Sequence, residues 1–100
     1  PQPPLYHAFI ANIAPEDFVR AFELVLALLV RGIQADCDHT GRNLRAQFKY
    51  ANKLGIRVMA IVGGEEWERG NIKLRDMQTG EETEVPAQNA LETIENMLKG

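Results

Sequence analysis

Three features of this sequence predict a three-layer α/β/α domain, with helices on both faces of a five-stranded mixed sheet. Short, continuously apolar runs alternate with helix-period segments. That order is β-α-β-α-β, three parallel strands joined by right-handed crossovers. A hairpin pattern then follows between Asn71 and Val85 and adds two antiparallel strands. Finally, one hundred residues, 45% apolar and 25% charged, suffice for one core and one globular domain.

The opening "PQPP", residues 1–4, reads as a Pro-rich linker ahead of a domain at residues 5–100. With no initiating Met, it predicts a domain that belongs to a longer polypeptide. Leu5 to Ala11 ("LYHAFIA") is apolar except for His7, as in a strand buried on both faces. His7 is accordingly expected in the core. Pro15 opens a helix whose first turn carries Glu16 and Asp17, where carboxylates favour the positive helix end. Phe18, Phe22, Val25 and Leu29 recur at i, i+4, i+7 and i+11 and predict its inward face; Gly32 ends it.

Ile33 to Cys37 is a second short strand, Arg42 to Leu54 a second helix capped by Gly55, and Arg57 to Val62 ("RVMAIV") a third strand. "GGEEWERG" gives a loop and one helical turn. From Asn71 to Met77, Ile72 and Leu74 alternate with Lys73, Arg75 and Met77. The turn "QTGE" leads into Glu82 to Val85, and Pro86 starts a last helix with Leu91, Ile94 and Leu98 inward.

Composition narrows the chemistry. Cys37 is the only cysteine, so no disulfide framework or Cys-rich metal cluster is expected, and the setting is reducing and cytoplasmic. The greasiest run, "FELVLALLVRG", is too short to span a membrane, and no signal peptide precedes it. The chain has no serine, no cysteine with a credible base and no glycine-rich phosphate loop, so no catalytic residues are expected. Asp36, Cys37, Asp38 and His39 lack a recognised ligand spacing, and no metal is expected there. Trp67 and Tyr50 are expected to pack, as is Tyr6.

Charge is unevenly placed. The chain is formally −3, yet Gly41 to Arg57 holds five of its eleven Arg and Lys residues and no acid. At about 100° per residue, Arg42, Arg45, Lys49 and Lys53 fall within an arc of roughly 80°. Leu44, Phe48, Ala51 and Leu54 take the opposite, sheet-facing side. Such a stripe is either a solvated helix face or a surface that tracks phosphates.

A resemblance bears on that choice. Gly41-Arg42-x-Leu44-x-x-Gln47, Tyr50-Ala51-x-Lys53-x-Gly55, Gly63-x-x-Glu66 and Lys73-x-Arg75-Asp76-x-x-Thr79-Gly80-Glu81 together resemble the C-terminal anticodon-binding domain of histidyl-tRNA synthetase, from Tyr6 to Leu98. Glu82 stands where that family usually has Gln, and "DCDHT" at Asp36 to Thr40 departs from its usual approach. The resemblance implies the class IIa anticodon-binding fold and recognition of the anticodon loop of histidine tRNA. It implies a parent that ligates histidine to tRNA with ATP and Mg²⁺ in an upstream catalytic domain, no cofactor in this domain, and a homodimer.

In an open parallel sheet, ligands bind beyond the carboxyl ends of the strands. Here those ends are Asn12, the Cys37 to Gly41 loop and Gly63 to Glu66. A carboxylate such as Glu66 accepts both N1–H and N2–H of an unpaired guanine, and an Arg such as Arg75 reaches O6, N7 or the backbone. Related synthetases use an acid, an arginine and an asparagine at positions matching Glu66, Arg75 and Asn12, so the resemblance implies those roles. With His39 and the stripe residues Arg42, Arg45 and Lys49, these are the candidate RNA-binding residues. Structural alternatives stand beside them: Asn12 as a cap of the loop before Pro15, Glu66 as an exposed helix-turn residue, and Arg75 paired with Glu81 or Glu84. Two functional alternatives also stand, a synthetase-like regulatory or RNA-binding paralogue without aminoacylation, and a protein-interaction module whose stripe serves solubility.

Overall fold

A computed structural model of the chain describes residues 7–99. The linker at 1–4 and the expected positions of Leu5 and Tyr6 lie outside the described residues. Strand β1 (Ala8–Asn12) is followed by a 3-10 turn at Pro15–Asp17 that runs into α1 (Phe18–Val30). Then come β2 (Ala35–Cys37), α2 (Leu44–Leu54), β3 (Val58–Val62) and the short α3 (Gly64–Glu68). A hairpin of β4 (Asn71–Asp76) and β5 (Glu82–Pro86) and a final helix, α4 (Ala90–Lys99), complete the chain.

The five strands lie in the order β2-β1-β3-β4-β5. β1 pairs in parallel with β2 and β3, while β4 runs antiparallel to both β3 and β5. The expected mixed sheet is therefore present. Every residue of β1 and β3 is buried, which explains why both strands read as unbroken apolar runs rather than alternating ones. Alternate side chains feed two cores. Ala8, Ile10, Val58, Ala60, Ile72 and Leu74 join Val25, Leu28 and Ile94 on the α1 and α4 side. Phe9, Ala11, Met59 and Ile61 meet Ala51 and Ile56 on the α2 side.

Two expected faces are corrected. Helix α1 buries Ala21, Val25 and Leu28, with Phe18 and Leu24 packed at the edge, whereas Phe22 and Leu29 are 40% and 42% exposed. The helix is apolar on nearly every side, so periodicity alone offered two faces. The one with the small Ala21 at its centre is the one that lies against the sheet. Helix α2 begins at Leu44 rather than Arg42: the Asn43 side chain accepts from the Ala46 N–H at 2.9 Å and caps it. Arg42 therefore precedes the helix and leaves the stripe, which consists of Arg45, Lys49 and Lys53. His7 lies one residue before β1, half-buried rather than in the core, beside a cavity of about 400 Å³ that also touches Arg57 and Leu98.

Candidate nucleic-acid interface

The parallel strands all end at one pole, where the exits of β1 and β2 build a cavity of about 550 Å³. Asn12 closes β1, Ile13, Pro15 and Phe18 form the wall leading into α1, and Asp38, His39, Gly41, Arg42 and Asn43 form the wall after β2. Three of the sequence candidates, Asn12, His39 and Arg42, are thus brought together around one opening.

Gln47 holds this pole in place, and it is fully buried. Its side-chain oxygen accepts from the Asn12 backbone N–H at 3.2 Å, and its amide donates to the carbonyls of Asn12 at 2.9 Å and Arg42 at 2.8 Å. The first turn of α2 is thereby tied to the end of β1. Asn12 is only 9% exposed. Its side-chain amide donates to the Ala14 carbonyl at 2.9 Å, so it does cap the loop before Pro15, as the structural alternative expected. Its Oδ1, however, is buried without a partner. An unsatisfied acceptor of this kind costs about 1–3 kcal/mol.

Asp38 anchors the opposite wall. Its carboxylate accepts from the Arg42 N–H at 2.7 Å, the Thr40 hydroxyl at 3.0 Å and the Arg42 guanidinium at 2.9 Å. Burial by itself pushes this carboxyl up, but those donors outweigh burial and hold it below the usual carboxylate range. Arg42 is fixed from two sides, by Asp38 and by the Tyr50 ring, whose centroid lies 4.2 Å from the guanidinium carbon. Tyr50 packs edge-on against Phe9, as a packing residue should.

His39 is exposed, with its ring edge-on to Phe18 and its Nε2 2.8 Å from Asp36 Oδ1. Donor atoms of Asp36, Cys37 and His39 lie within 4.8 Å of one another. Burial, helped by the charges of Asp36 and Asp38, pushes the Cys37 thiol up to about 11. At neutral pH this sulfur is a protonated core atom.

Glu66 and Arg75 lie outside that cavity lining, in an ion-pair network. The Glu66 carboxylate is 3.6 Å from the Lys73 amine and 3.8 Å from Arg69. Arg75 bonds Glu82 at 3.0 Å, not Glu81 or Glu84, because the register sets Arg75 opposite Glu82 across the hairpin. Its guanidinium also lies over Phe48. Glu84 instead takes Arg69 and Asn71, whose hydrogen bonds draw its carboxyl down to about 2. Arg45, Lys49 and Lys53 stand exposed on α2, and none of the three joins an ion pair among the described residues. Trp67 packs against the core with Arg20 over its ring.

Sequence reasoning missed Gln47 as the clamp, Asp38 as the anchor and Phe18 as a cavity wall. Gln47 carried a readable signal, since it sits three residues after Leu44 on the apolar side of α2. Gly63 is equally necessary: it adopts φ +117°, and a Cβ there would collide with the Asp17 carboxylate, which accepts from the Ala14 N–H.

A family model described as an anticodon binding domain matches residues 7–97. A histidine–tRNA ligase of Caldanaerobacter subterraneus is 40% identical over 99% of the chain, which covers 23% of that protein. Histidyl-tRNA synthetase from Nostoc sp. PCC 7120 superposes with a TM-score of 0.85 at 28% identity, over 94% of this chain and 23% of that one. The S. aureus histidyl-tRNA synthetase gives 0.81 at 28% identity, over 89% of this chain and 26% of that one. The chain thus spans about a quarter of the length of the relatives it matches.

Proposed function

The chain belongs to the anticodon-binding-domain family, and on that premise we propose that it reads the anticodon loop of a histidine tRNA as one domain of a histidyl-tRNA synthetase. The intact enzyme is proposed to be a cytoplasmic homodimer, which joins histidine to its tRNA in a catalytic domain using ATP and Mg²⁺. No helix among the described residues is long and apolar enough to cross a membrane.

The observation that carries this reading is the cavity at the strand ends, walled by Phe18, His39 and Arg42, beside the exposed cations of α2. A base flipped out of a single-stranded loop fits such an opening, with a flat face for the aromatic wall and a guanidinium beside it. The loop's phosphates would run past Arg45, Lys49 and Lys53, whose charges are unspent. Glu66 keeps its carboxylate near the same pole, with Lys73 and Arg69 only at the limit of ion pairing, and is proposed to accept the paired N–H donors of a guanine. Arg75, aligned by Glu82 and Phe48, is proposed to contact the same loop.

Fluorescence anisotropy with a histidine anticodon stem-loop and a guanine-substituted control tests the reading. Asn12→Ala and Glu66→Gln should each weaken the cognate loop by about 1–3 kcal/mol and the control much less. Equal losses on both RNAs, or none, would remove the proposed base-reading role.

A further inference from the structure

Where β2 leaves the sheet, folding gathers three chemically different donors. Neighbouring residues of a strand point to opposite faces, so the order Asp36-Cys37-x-His39 gives no common site in extended chain. This strand, however, lies at the edge of the sheet and ends at Cys37. The Asp36 carboxylate turns toward the chain's exit and accepts from the Cys37 N–H at 2.8 Å, and the same oxygen lies 2.8 Å from His39 Nε2. Cys37 Sγ is 3.9 Å from that nitrogen, and each residue offers a donor atom within 4.8 Å of the other two.

We propose that an Asp36 carboxylate oxygen, Cys37 Sγ and His39 Nε2 form a binding site for a borderline-soft divalent cation of the zinc class. The donor set selects that ion, since thiolate, imidazole and carboxylate are its three protein ligand types. The distances suit it as well. With zinc bonds of about 2.0–2.3 Å and tetrahedral angles, ligand atoms sit about 3.3–3.6 Å apart. The Cys37–His39 separation of 3.9 Å and the His39–Asp36 separation of 2.8 Å each need a shift of roughly half an ångström. The two outer members are free to make it, because the His39 and Asp36 side chains are 53% and 28% exposed. Cys37 is buried and stays fixed, and turning one exposed ring brings the cation to its sulfur.

The local field favours a cation. The charges felt at the Cys37 sulfur are those of Asp36 and Asp38, both negative, while Arg42 is already neutralised by Asp38. Asp38 is itself spent on Arg42 and Thr40, so it supplies charge rather than a fourth bond. With three protein donors, the fourth position is left for a water. On binding, Cys37 releases its thiol proton to solvent and gives an electron pair to the metal. His39 coordinates through Nε2 and keeps its proton on Nδ1, so its hydrogen bond to Asp36 is replaced by two bonds to one ion. Because His39 also walls the cavity at the strand ends, the cation fixes that wall. The inference does not rest on the RNA-binding reading.

Calorimetric titration of the chain with zinc chloride in a non-chelating buffer should show one ion per chain. Its dissociation constant should be on the order of 10 µM, weaker than a closed four-ligand site. Cobalt(II) in place of zinc should add the near-ultraviolet sulfur-to-cobalt charge-transfer absorption that only a thiolate ligand gives, and Cys37→Ala should abolish it. His39→Ala should raise the dissociation constant about tenfold or more, with an unchanged circular dichroism spectrum because the ring is exposed. His7→Ala, which removes the other histidine, before the opposite end of the sheet, should leave the affinity as it is. No zinc binding up to about 1 mM, cobalt bound without the charge-transfer band, an affinity indifferent to His39→Ala, or an equal loss in His7→Ala each overturns the proposal.

Discussion

Replacing Gln47 tests the architecture beneath the candidate site most directly. Its side chain is fully buried and serves three backbone groups: the Asn12 N–H and the carbonyls of Asn12 and Arg42. Gln47→Met keeps nearly the same volume, so the cavity term is small, but it leaves all three groups unmatched. At the low end of about 1–3 kcal/mol for each such group, the loss is about 3 kcal/mol. That is a large share of the roughly 5–15 kcal/mol holding a typical domain together. For a chain of this length it lowers Tm by about 12–24 °C. Gln47→Glu gives a sharper diagnostic. It retains the acceptor for Asn12 N–H but sets a carboxylate against two carbonyl oxygens, so the folded state favours the protonated acid and raises its pKa. Stability should then be fully present below the ordinary carboxylate range and fall as pH rises through the raised value. Urea unfolding followed by circular dichroism, at pH 4 and pH 7 (buffers spanning about the carboxylate range), measures both effects. A loss under about 1 kcal/mol for Gln47→Met, or a Gln47→Glu variant that is no more stable in acid, would refute the clamp.

The α2 stripe should act on affinity without discrimination: Arg45→Glu with Lys49→Glu should weaken the cognate and substituted stem-loops alike, because phosphate contacts carry no sequence information. Wild-type binding should also fall with salt, at a log–log slope of roughly −2 if about three phosphates are contacted; anisotropy titrations over a salt series measure both. Acid should destabilise the domain, since Asp38 and Glu84 both have carboxyls held low in the fold, Glu84 near about 2. Their contributions are present above the ordinary carboxylate range and lost as pH falls through the folded values, so unfolding midpoints should drop below about pH 4, and less steeply in Glu84→Gln. At the alkaline end, the Cys37 thiol raised to about 11 contributes stability below its ordinary value of 9.0 that is lost as pH climbs between the two. Its alkylation at pH 8 (below about the usual thiol pKa) should be slow in the native protein and fast in urea.

Local sequence determined which segments are strands and which are helices, because burial on both faces leaves an unmistakable run in Ala8–Asn12 and Val58–Val62. Pro15 and Gly55 marked ends by chemistry that acts within one turn of backbone, whereas the cap at Asn43 was seen only in the structure. The polar alternation of Lys73 and Arg75 against Ile72 and Leu74 likewise assigned the two faces of β4, and the ordered motifs pointed to the family. What the sequence left open depends on groups far apart in the chain. The inward face of α1 was ambiguous because an almost wholly apolar helix has no polar side to exclude. Only contact with the sheet chose Ala21, Val25 and Leu28 and released Phe22 and Leu29 to the surface. The partner of Arg75 was set by hairpin register, and the loss of Arg42 from the stripe by a buried carboxylate at Asp38. Gln47 stands out as a polar residue on the apolar side of α2, but the backbone groups it satisfies come from the end of β1, thirty-five positions away. Periodicity reports which residues avoid water; it does not report which polar atoms meet, and that pairing arises only when distant segments are packed into one layer.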